Sequence, residues 1–450
     1  MNEKLNKALD QISDNHLNEA AQYKKKPRRI IWLGAIAAVL ALVILFNGSG
    51  ISLTLQAKAV SVADYPKYEW EYRGEEMDDA MGQLQDFFAA GMTRTLSGAA
   101  GENQAFSPIN LYMALSLAAE LTGGDSRQQI LDLVGAGSIE ALRAQASDIW
   151  NACYLDNQDQ TLLANSLWLD EELEYSQRVM DTLADSYYTS VYQTDLSGSS
   201  ANSAISAWLN KQTHNMLSKE AQHISLDPET VLALYSTIYF QAKWIDAVKF
   251  SAGSNTTGIF HAPAGDISRT FMNKQKMQSY YYWGESFGAV ALGMKDGSRM
   301  WLILPDEGKT TADVLASEEY ARLVLSGKKS ENSKYLYVNL SLPKFDIQAA
   351  SDLKGDLQSM GVTDIFVPGK ADFSASVAAD TPVTFTNVNQ VTRVAIDEKG
   401  VTAASYIELP GAGAAEPPTE EIDFILDRPF LFVIANRYDI PLFAGVVNEP

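Results

Sequence analysis

The sequence predicts an α+β protein, one large mixed domain carried behind a single N-terminal transmembrane helix. Three observations support this. Helical periodicity gathers early in the body, apolar runs rich in β-branched and aromatic residues gather late, and an uncharged run of seventeen apolar residues lies near the N-terminus. With 450 residues, 46% of them hydrophobic and 10% aromatic, the chain can bury a substantial core.

Taken in order, residues 1–29 form a short cytoplasmic tail with seven Lys/Arg against four Asp/Glu. Residues 30–46, "IIWLGAIAAVLALVILF", follow "KKKPRR" directly, and at about 1.5 Å per residue they reach the short end of a bilayer span. The basic flank belongs on the cytoplasmic side, so the body is expected outside the cell membrane. The alternative is a cleaved signal peptide, with secretion after cleavage near Ala59, where "AKA" resembles a cleavage site. Against it stand the 29-residue polar region before the apolar run and the distance of "AKA" beyond it. Residues 47–76 read as a juxtamembrane stalk, and the folded domain spans 77–450.

Within the body, Ala80, Leu84, Phe87, Phe88, Gly91 and Met92 fall at helical spacing. "SPINLYMALSLAAELTGG" reads as a helix opened by Ser107-Pro108 and closed by a glycine pair. "TLLANSLWLD" (161–170) and "TVLALYSTIYFQAKW" (230–244) read as strands buried on both faces. "YLYVNLSLPKFDIQ" (335–348) and "FLFVIANRYDIPLFAGVV" (430–447) read as strands too, the latter a hairpin turning at "NRYD".

Composition and motif exclude several functions. The net charge of −21 leaves an acidic body, which argues against nucleic acid and offers no heparin-type site. The single cysteine, Cys153, reads as a buried small hydrophobe, and the four histidines show no metal-ligand spacing, so neither a metal site nor a cofactor is expected. Two S-x-x-K pairs occur, Ser351 with Lys354 and Ser326 with Lys329, but no K-T-G, and the sole "SDN" lies in the N-terminal tail. G-x-S-x-G is absent, "GAGAA" is followed by no helix, and no catalytic residue is assigned: the chain is not read as an enzyme. Asn47, Asn255 and Asn339 begin N-x-S/T sequons, yet the short basic-flanked anchor and few cysteines look bacterial, and glycans are not expected.

From about residue 78 to the C-terminus the chain resembles the serpin family. The matching stretches are "NQAFSPINLYMALSLAAELTGGDSRQQI", "NSLWLD", "ISAWLNKQTHNML", "YSTIYFQAKW", "FMNKQ", "LSLPKFDIQAASDLKGDLQSMGVTDIF", "ADFS", "VAIDEKG" and "DRPFLFVI" with "PLFAGVV", all in one order. The resemblance implies a serpin fold with three β-sheets, about nine helices and an exposed reactive-centre loop that a target protease cleaves. It further implies a suicide-substrate inhibitor, acting by loop cleavage, covalent trapping and insertion of the loop into a sheet. The alternative is a non-inhibitory serpin-fold binding protein, cleaved as a plain substrate.

The resemblance makes Glu398, Gly400, Val401, Thr402, Ala403, Ala404 and Ser405 the hinge of that loop. An inserted strand alternates its side chains between two faces. Val401, Ala403, Ser405, Ile407 and Leu409 share one face and are all small or apolar, whereas Thr402, Ala404, Tyr406 and Glu408 take the other. An ordinary buried strand would explain the alternation, but not Gly400 or the preceding Asp397-Glu398-Lys399.

In inhibitory serpins the cleaved bond commonly follows the hinge glycine by about fourteen residues, which implies Ala414–Ala415 within a window of 412–416. Residues 411–415 are small and uncharged, which favours an elastase-like or subtilisin-like protease over a trypsin-like one. Glu416 keeps a Glu-specific protease open, as are papain-like enzymes. The resemblance also marks Ser107, Pro108, Asn165, Ser236, Trp244 and Gln390 as the region where the sheet opens. Ser236 stands where many serpins have Asn, Gln390 where a His often lies, and Val401 where Thr or Ser is common; the first two keep hydrogen-bonding capacity, and Val suits a strand. The partners expected are a target protease and, through the N-terminal helix, a membrane, with the protein itself a monomer.

Overall fold

The computed structural model describes residues 59–63, 74–98, 101–326, 332–378, 382–386, 388–401 and 417–450. The apolar run 30–46 therefore lies outside the described residues. So do Thr402, Ala403, Ala404 and Ser405 of the hinge and the bond at Ala414–Ala415. Residues 57–450 form one compact unit.

Along the chain, β1 (Val60–Ala63) is followed by α1 (Gly74–Ser97), β2 (Gln104–Phe106), α2 (Pro108–Leu121), α3 (Gly124–Leu133) and α4 (Ile139–Cys153). Next come β3 (Leu155–Asp156), β4 (Gln160–Asp170), α5 (Gln177–Tyr187), β5 (Thr189–Thr194), α6 (Ser199–Gln212), α7 (Ser218–Ala221) and β6 (Leu232–Lys243). The middle of the chain holds β7 (Thr256–Ala262), β8 (Gly265–Trp283), β9 (Phe287–Gly293), β10 (Arg299–Pro305), α8 (Thr311–Leu315) and α9 (Glu318–Leu325). The last part supplies β11 (Ser333–Pro343), β12 (Phe345–Asp352), α10 (Lys354–Ser359), β13 (Asn389–Asp397), β14 (Gly400–Val401), β15 (Glu421–Ile425), β16 (Phe430–Ala435) and β17 (Pro441–Val447).

The strands make two sheets among the described residues, not the three expected. One has the order β1-β5-β4-β6-β14-β13-β12, with β3 beside β4; the other runs β15-β11-β8-β9-β10-β16-β17-β2, with β7 beside β8. The physical reason is β8. One end of this long strand pairs with β7 (Thr256↔Phe271) and the other with β9 (Tyr281↔Val290), while β11 pairs along most of its length. A break in the β11 register between Val338 and Leu340, opposite the left-handed Lys276 (φ 52°), bends β8 without cutting it. Two sheets that would otherwise be separate thereby share a strand. The helices number ten among the described residues, where about nine were expected.

The local chemistry follows ordinary rules. Ser107 caps α2 by accepting from the Asn110 N–H at 3.3 Å, and Pro108 fills the first turn, where its missing N–H costs nothing. The run 335–348 divides at Lys344 into β11 and β12, which belong to different sheets. The "NRYD" hairpin joins β16 to β17, and Asn436 Oδ1 accepts from the N–H groups of Tyr438 and Ile440. Cys153 is buried, and that burial pushes its thiol well above the usual range.

The main core lies behind the β6-containing sheet, with α1 and α2 in it. A smaller cluster covers the front of that sheet, where Ile205, Trp208 and Leu217 from the α6–α7 region pack on Ala164, Trp168 and Ala233. Val60–Ala63, within the segment read as a stalk, pairs antiparallel with β5 at the sheet edge (Val60↔Gln193). No helix among the described residues is long and apolar enough to cross a membrane, and none of their His, Cys, Asp and Glu side chains form a group that could hold a metal.

Candidate functional site

The site begins where β13 ends. After Asp397 the chain reverses through Glu398-Lys399, and Gly400-Val401 returns as β14, antiparallel to β13 (Ile396↔Val401) and to β6 (Val401↔Ala242). The Asp397 carboxylate sets the turn, accepting from the N–H groups of Lys399 (2.7 Å) and Gly400 (3.2 Å). Gly400 is required by space. A Cβ there would press on the Ala242 carbonyl and come within 2.7 Å of the Lys243 Cα.

Two further contacts hold the turn. Trp244 donates its indole N–H to the Asp397 carbonyl (2.9 Å) and its backbone N–H to the Lys399 carbonyl (3.1 Å). The Glu398 carboxylate takes Lys344 Nζ at 2.6 Å and accepts from Asn255 Nδ2 at 2.5 Å. Desolvation pushes this carboxyl up, but the hydrogen bonds from Lys344 and Asn255 outweigh it and hold it below the usual carboxylate range.

Lower in the same sheet lies a second group. Gln390, on β13, accepts from the Ser107 N–H (2.7 Å) and donates to the Ser107 carbonyl (3.0 Å), so one amide serves both backbone groups of the residue that caps α2. Across the gap, Ser236 of β6 pairs with Asn165 of β4, and Asn165 Nδ2 donates to the Tyr187 carbonyl at 3.3 Å. The Ser236 hydroxyl is buried and has no partner. Ser107, Pro108, Asn165, Ser236 and Gln390 thus cluster low in the sheet. Trp244 joins Glu398, Gly400 and Val401 at the top, with about 23 Å of strand between Gln390 and Asp397.

The two groups share one feature. Among the described residues β6 and β13 are joined through β14 alone, a two-residue link. Below it, a cavity of about 860 Å³ separates the strands, lined by Leu234 and Ser236 of β6, Val388 and Gln390 on the β13 side, and Leu111 and Leu115 of α2. Val401, 3% exposed, is seated between the same two strands above the cavity, opposite Ala242 and Ile396.

Sequence reasoning missed Lys344 and Asn255 as supports of this turn, and the task of Asp397 in setting it. Asn255 stood out only as a sequon and Lys344 carries no pattern, because each acts through a partner brought close by the fold; Asp397 acts locally, on the N–H groups two and three residues on, a pattern the sequence could have shown. Asn339, another sequon, spends its amide on Glu421 (2.7 Å) and Asp423 (2.9 Å) of β15.

A mixed sheet held apart at its centre, with Gly400-Val401 paired between β6 and β13, sets this fold among α+β proteins whose main sheet is incompletely paired among the described residues. The chain belongs to the serpin family: the family model described as Serpin (serine protease inhibitor) matches residues 83–450. It is similar to alpha-1-antiproteinase F of Cavia porcellus, 28% identical over 373 residues that cover 81% of this chain and 89% of that one. It is also similar to plasminogen activator inhibitor 1 of Mus musculus, 27% identical over 381 residues covering 82% and 92%. Among solved structures, the native state of the thermophilic serpin tengpin shares the fold with a TM-score of 0.75 at 24% identity, covering 87% of this chain and 100% of that one. Serpins are in general inhibitors of serine proteases and not catalytic enzymes.

Proposed function

We propose that this serpin is an inhibitory suicide substrate whose loop, once cut between residues 412 and 416, enters the gap between β6 and β13. The observation that carries this reading is the register of β14. Continued unchanged, the pairing Val401↔Ala242 and Val401↔Ile396 sets Ile407 between Ser236 and Gln390, and Leu409 between Leu234 and Val388. Those four flanking residues line the cavity, so its apolar space matches the two largest side chains on the inward face. Pro410 has no N–H to give to the ladder, so regular pairing is expected to stop there.

The small uncharged residues 411–415 suit a protease with a shallow primary pocket, elastase-like or subtilisin-like. A membrane-anchored, bacterial-type protein with its inhibitory domain outside the cell is our reading of the basic-flanked run 30–46. The test mixes the protein with elastase, subtilisin, a Glu-specific protease and papain, then runs denaturing gels with mass analysis of the released C-terminal peptide. A band at the summed mass that survives denaturation establishes trapping, and the first residue of the peptide fixes the bond. Complete cleavage by every one of them, with no such band, assigns the protein to the non-inhibitory, substrate-like serpins instead.

A further inference from the structure

We propose that the cavity between β6, β13 and α2 is a binding site for an uncharged single-chain amphiphile, such as a long-chain alcohol, and that the bound molecule withholds the gap from the loop. Withholding the gap rests on the insertion reading above; binding does not. The polar end of the site is made by two buried atoms that lack partners, Asn110 Oδ1 on α2 and Ser236 Oγ on β6, and both residues line the cavity. Asn110 is 4% exposed. A buried acceptor without a donor is costly, and the loop has none to offer here. At this level the extended β14 register delivers Ile407, whose side chain is hydrocarbon. A ligand hydroxyl meets the need, donating to Asn110 Oδ1 while accepting from Ser236 Oγ.

The rest of the site is elongated and mostly apolar. Asn110, Ala114 and Ala118 recur every four residues and so share one face of α2 over about 12 Å, with Leu111 and Leu115 beside them. The space also runs past the reach of the loop's ladder. Pro410 would lie opposite Ala233, yet the lining continues through Val231 to Asp227 on one side and through Thr386 to Pro382 on the other. A hydrocarbon tail can occupy that length, as apolar ligands do in pockets with a few converging polar groups. Charge then selects the head. Among the described residues the lining holds no Lys, Arg or His, and its two charged members, Asp227 and Glu229, are exposed carboxylates. An ionised fatty acid would bury its charge with no countercharge, so the head that fits is neutral. Because that head and Ile407 need the same place, amphiphile and loop exclude one another at the level of Ser236. A loop halted there is cut without entering fully, which converts an inhibitor into a substrate.

The test uses the full chain, with decan-1-ol as the probe and decanoate at pH 8 as its charged counterpart. At a hundredfold excess over its dissociation constant decan-1-ol should raise the thermal midpoint of the uncut protein by about 3 °C, and decanoate should not. Asn110→Leu replaces an unpartnered acceptor by hydrocarbon of similar size; it should fold as stably and bind decan-1-ol roughly tenfold more weakly in titration calorimetry. Comparing the two proteins cancels any alcohol taken up by the apolar run 30–46. Ala118→Leu, two turns along α2 from the polar end, should weaken decan-1-ol and spare hexan-1-ol. Decan-1-ol should also slow the uptake of an acetylated peptide copying residues 402–409, followed by native gel, roughly three- to tenfold. No rise in midpoint, or equal binding by the unaltered protein and Asn110→Leu, or equal binding of decanoate, overturns the site. Binding as assigned, with peptide uptake unslowed, overturns the competition. No uptake by any form, together with no rise in midpoint after the loop is cut, overturns the insertion reading and leaves the ligand site standing.

Discussion

Gly400 and Glu398 show how much of the turn between β13 and β14 rests on single atoms. In Gly400→Ala the added methyl meets backbone on the neighbouring strand, which cannot swing aside as a side chain would. β14 should detach, costing about 1–3 kcal/mol, read as a lower urea midpoint and faster exchange of the Val401 amide. An unchanged midpoint would show that the β14 link contributes nothing. Glu398 gives a pH signature. Its folded pKa lies below its unfolded value, so the stability it contributes is fully present above the ordinary Glu value and disappears as pH falls through the lower folded one. Lys344→Met removes the principal partner, so the urea midpoint of that variant should fall less steeply between about pH 5 and pH 3 than that of the unaltered protein. Parallel curves would assign the acid sensitivity to other carboxylates. Gly400 and Val401 were marked in the sequence by the family resemblance and by strand parity, which is a local pattern; the lack of space at Gly400 shows only in three dimensions. Lys344 and Asn255 were not, since they lie 54 and 143 residues before Glu398 and nothing in their neighbourhoods records the meeting.

At the level of strands, β4, β6, β16 and β17 could be read from their apolar runs, and α2 from its Ser-Pro opening, because burial on both faces and helix capping are written in consecutive residues. The continuity of the second sheet could not be read. It depends on one left-handed residue, Lys276, in a strand long enough to serve two sets of neighbours, and a lysine announces no such bend. Gln390 could be noticed as a departure from the family, but its task is visible only in three dimensions. A planar amide offers a donor and an acceptor side by side, and here it pairs with both backbone groups of Ser107 and ties β13 to the start of α2. Gln390→Leu should strand a buried N–H and a buried carbonyl, destabilising the protein by about 1–3 kcal/mol in urea unfolding. Gln390→Glu keeps the acceptor and loses the donor, so its cost should lie between. Equal stability of all three proteins would show that water replaces the amide without loss.

For the whole molecule, the gap below β14 means that the described fold leaves sheet pairing unmade. Both neighbours of the missing strand are in place, Val401 is seated, and the cavity stands at the depth where Ile407 and Leu409 would arrive. Filling the gap with residues 402–409 adds about a dozen ladder hydrogen bonds, worth about 10 kcal/mol before apolar burial at roughly 0.5–1.5 kcal/mol each. That rivals the whole stability of an ordinary domain, about 5–15 kcal/mol, which is the scale the proposed trapping of a protease requires. The consequence can be measured without knowing the target. At an unfolding entropy of about 2.1 cal/mol/K per residue, a domain of this size should gain about 10 °C or more in thermal midpoint once the loop is cut. Val401→Arg separates cutting from insertion. The loop should be cleaved as before, but a guanidinium cannot stay on the core face that Val401 occupies, so β14 should come away in the uncut protein, the midpoint should not rise on cutting and no covalent complex should survive denaturation. A cleaved Val401→Arg protein that gained the full increment and trapped its protease would show that the strand enters by some register other than the one begun at β14.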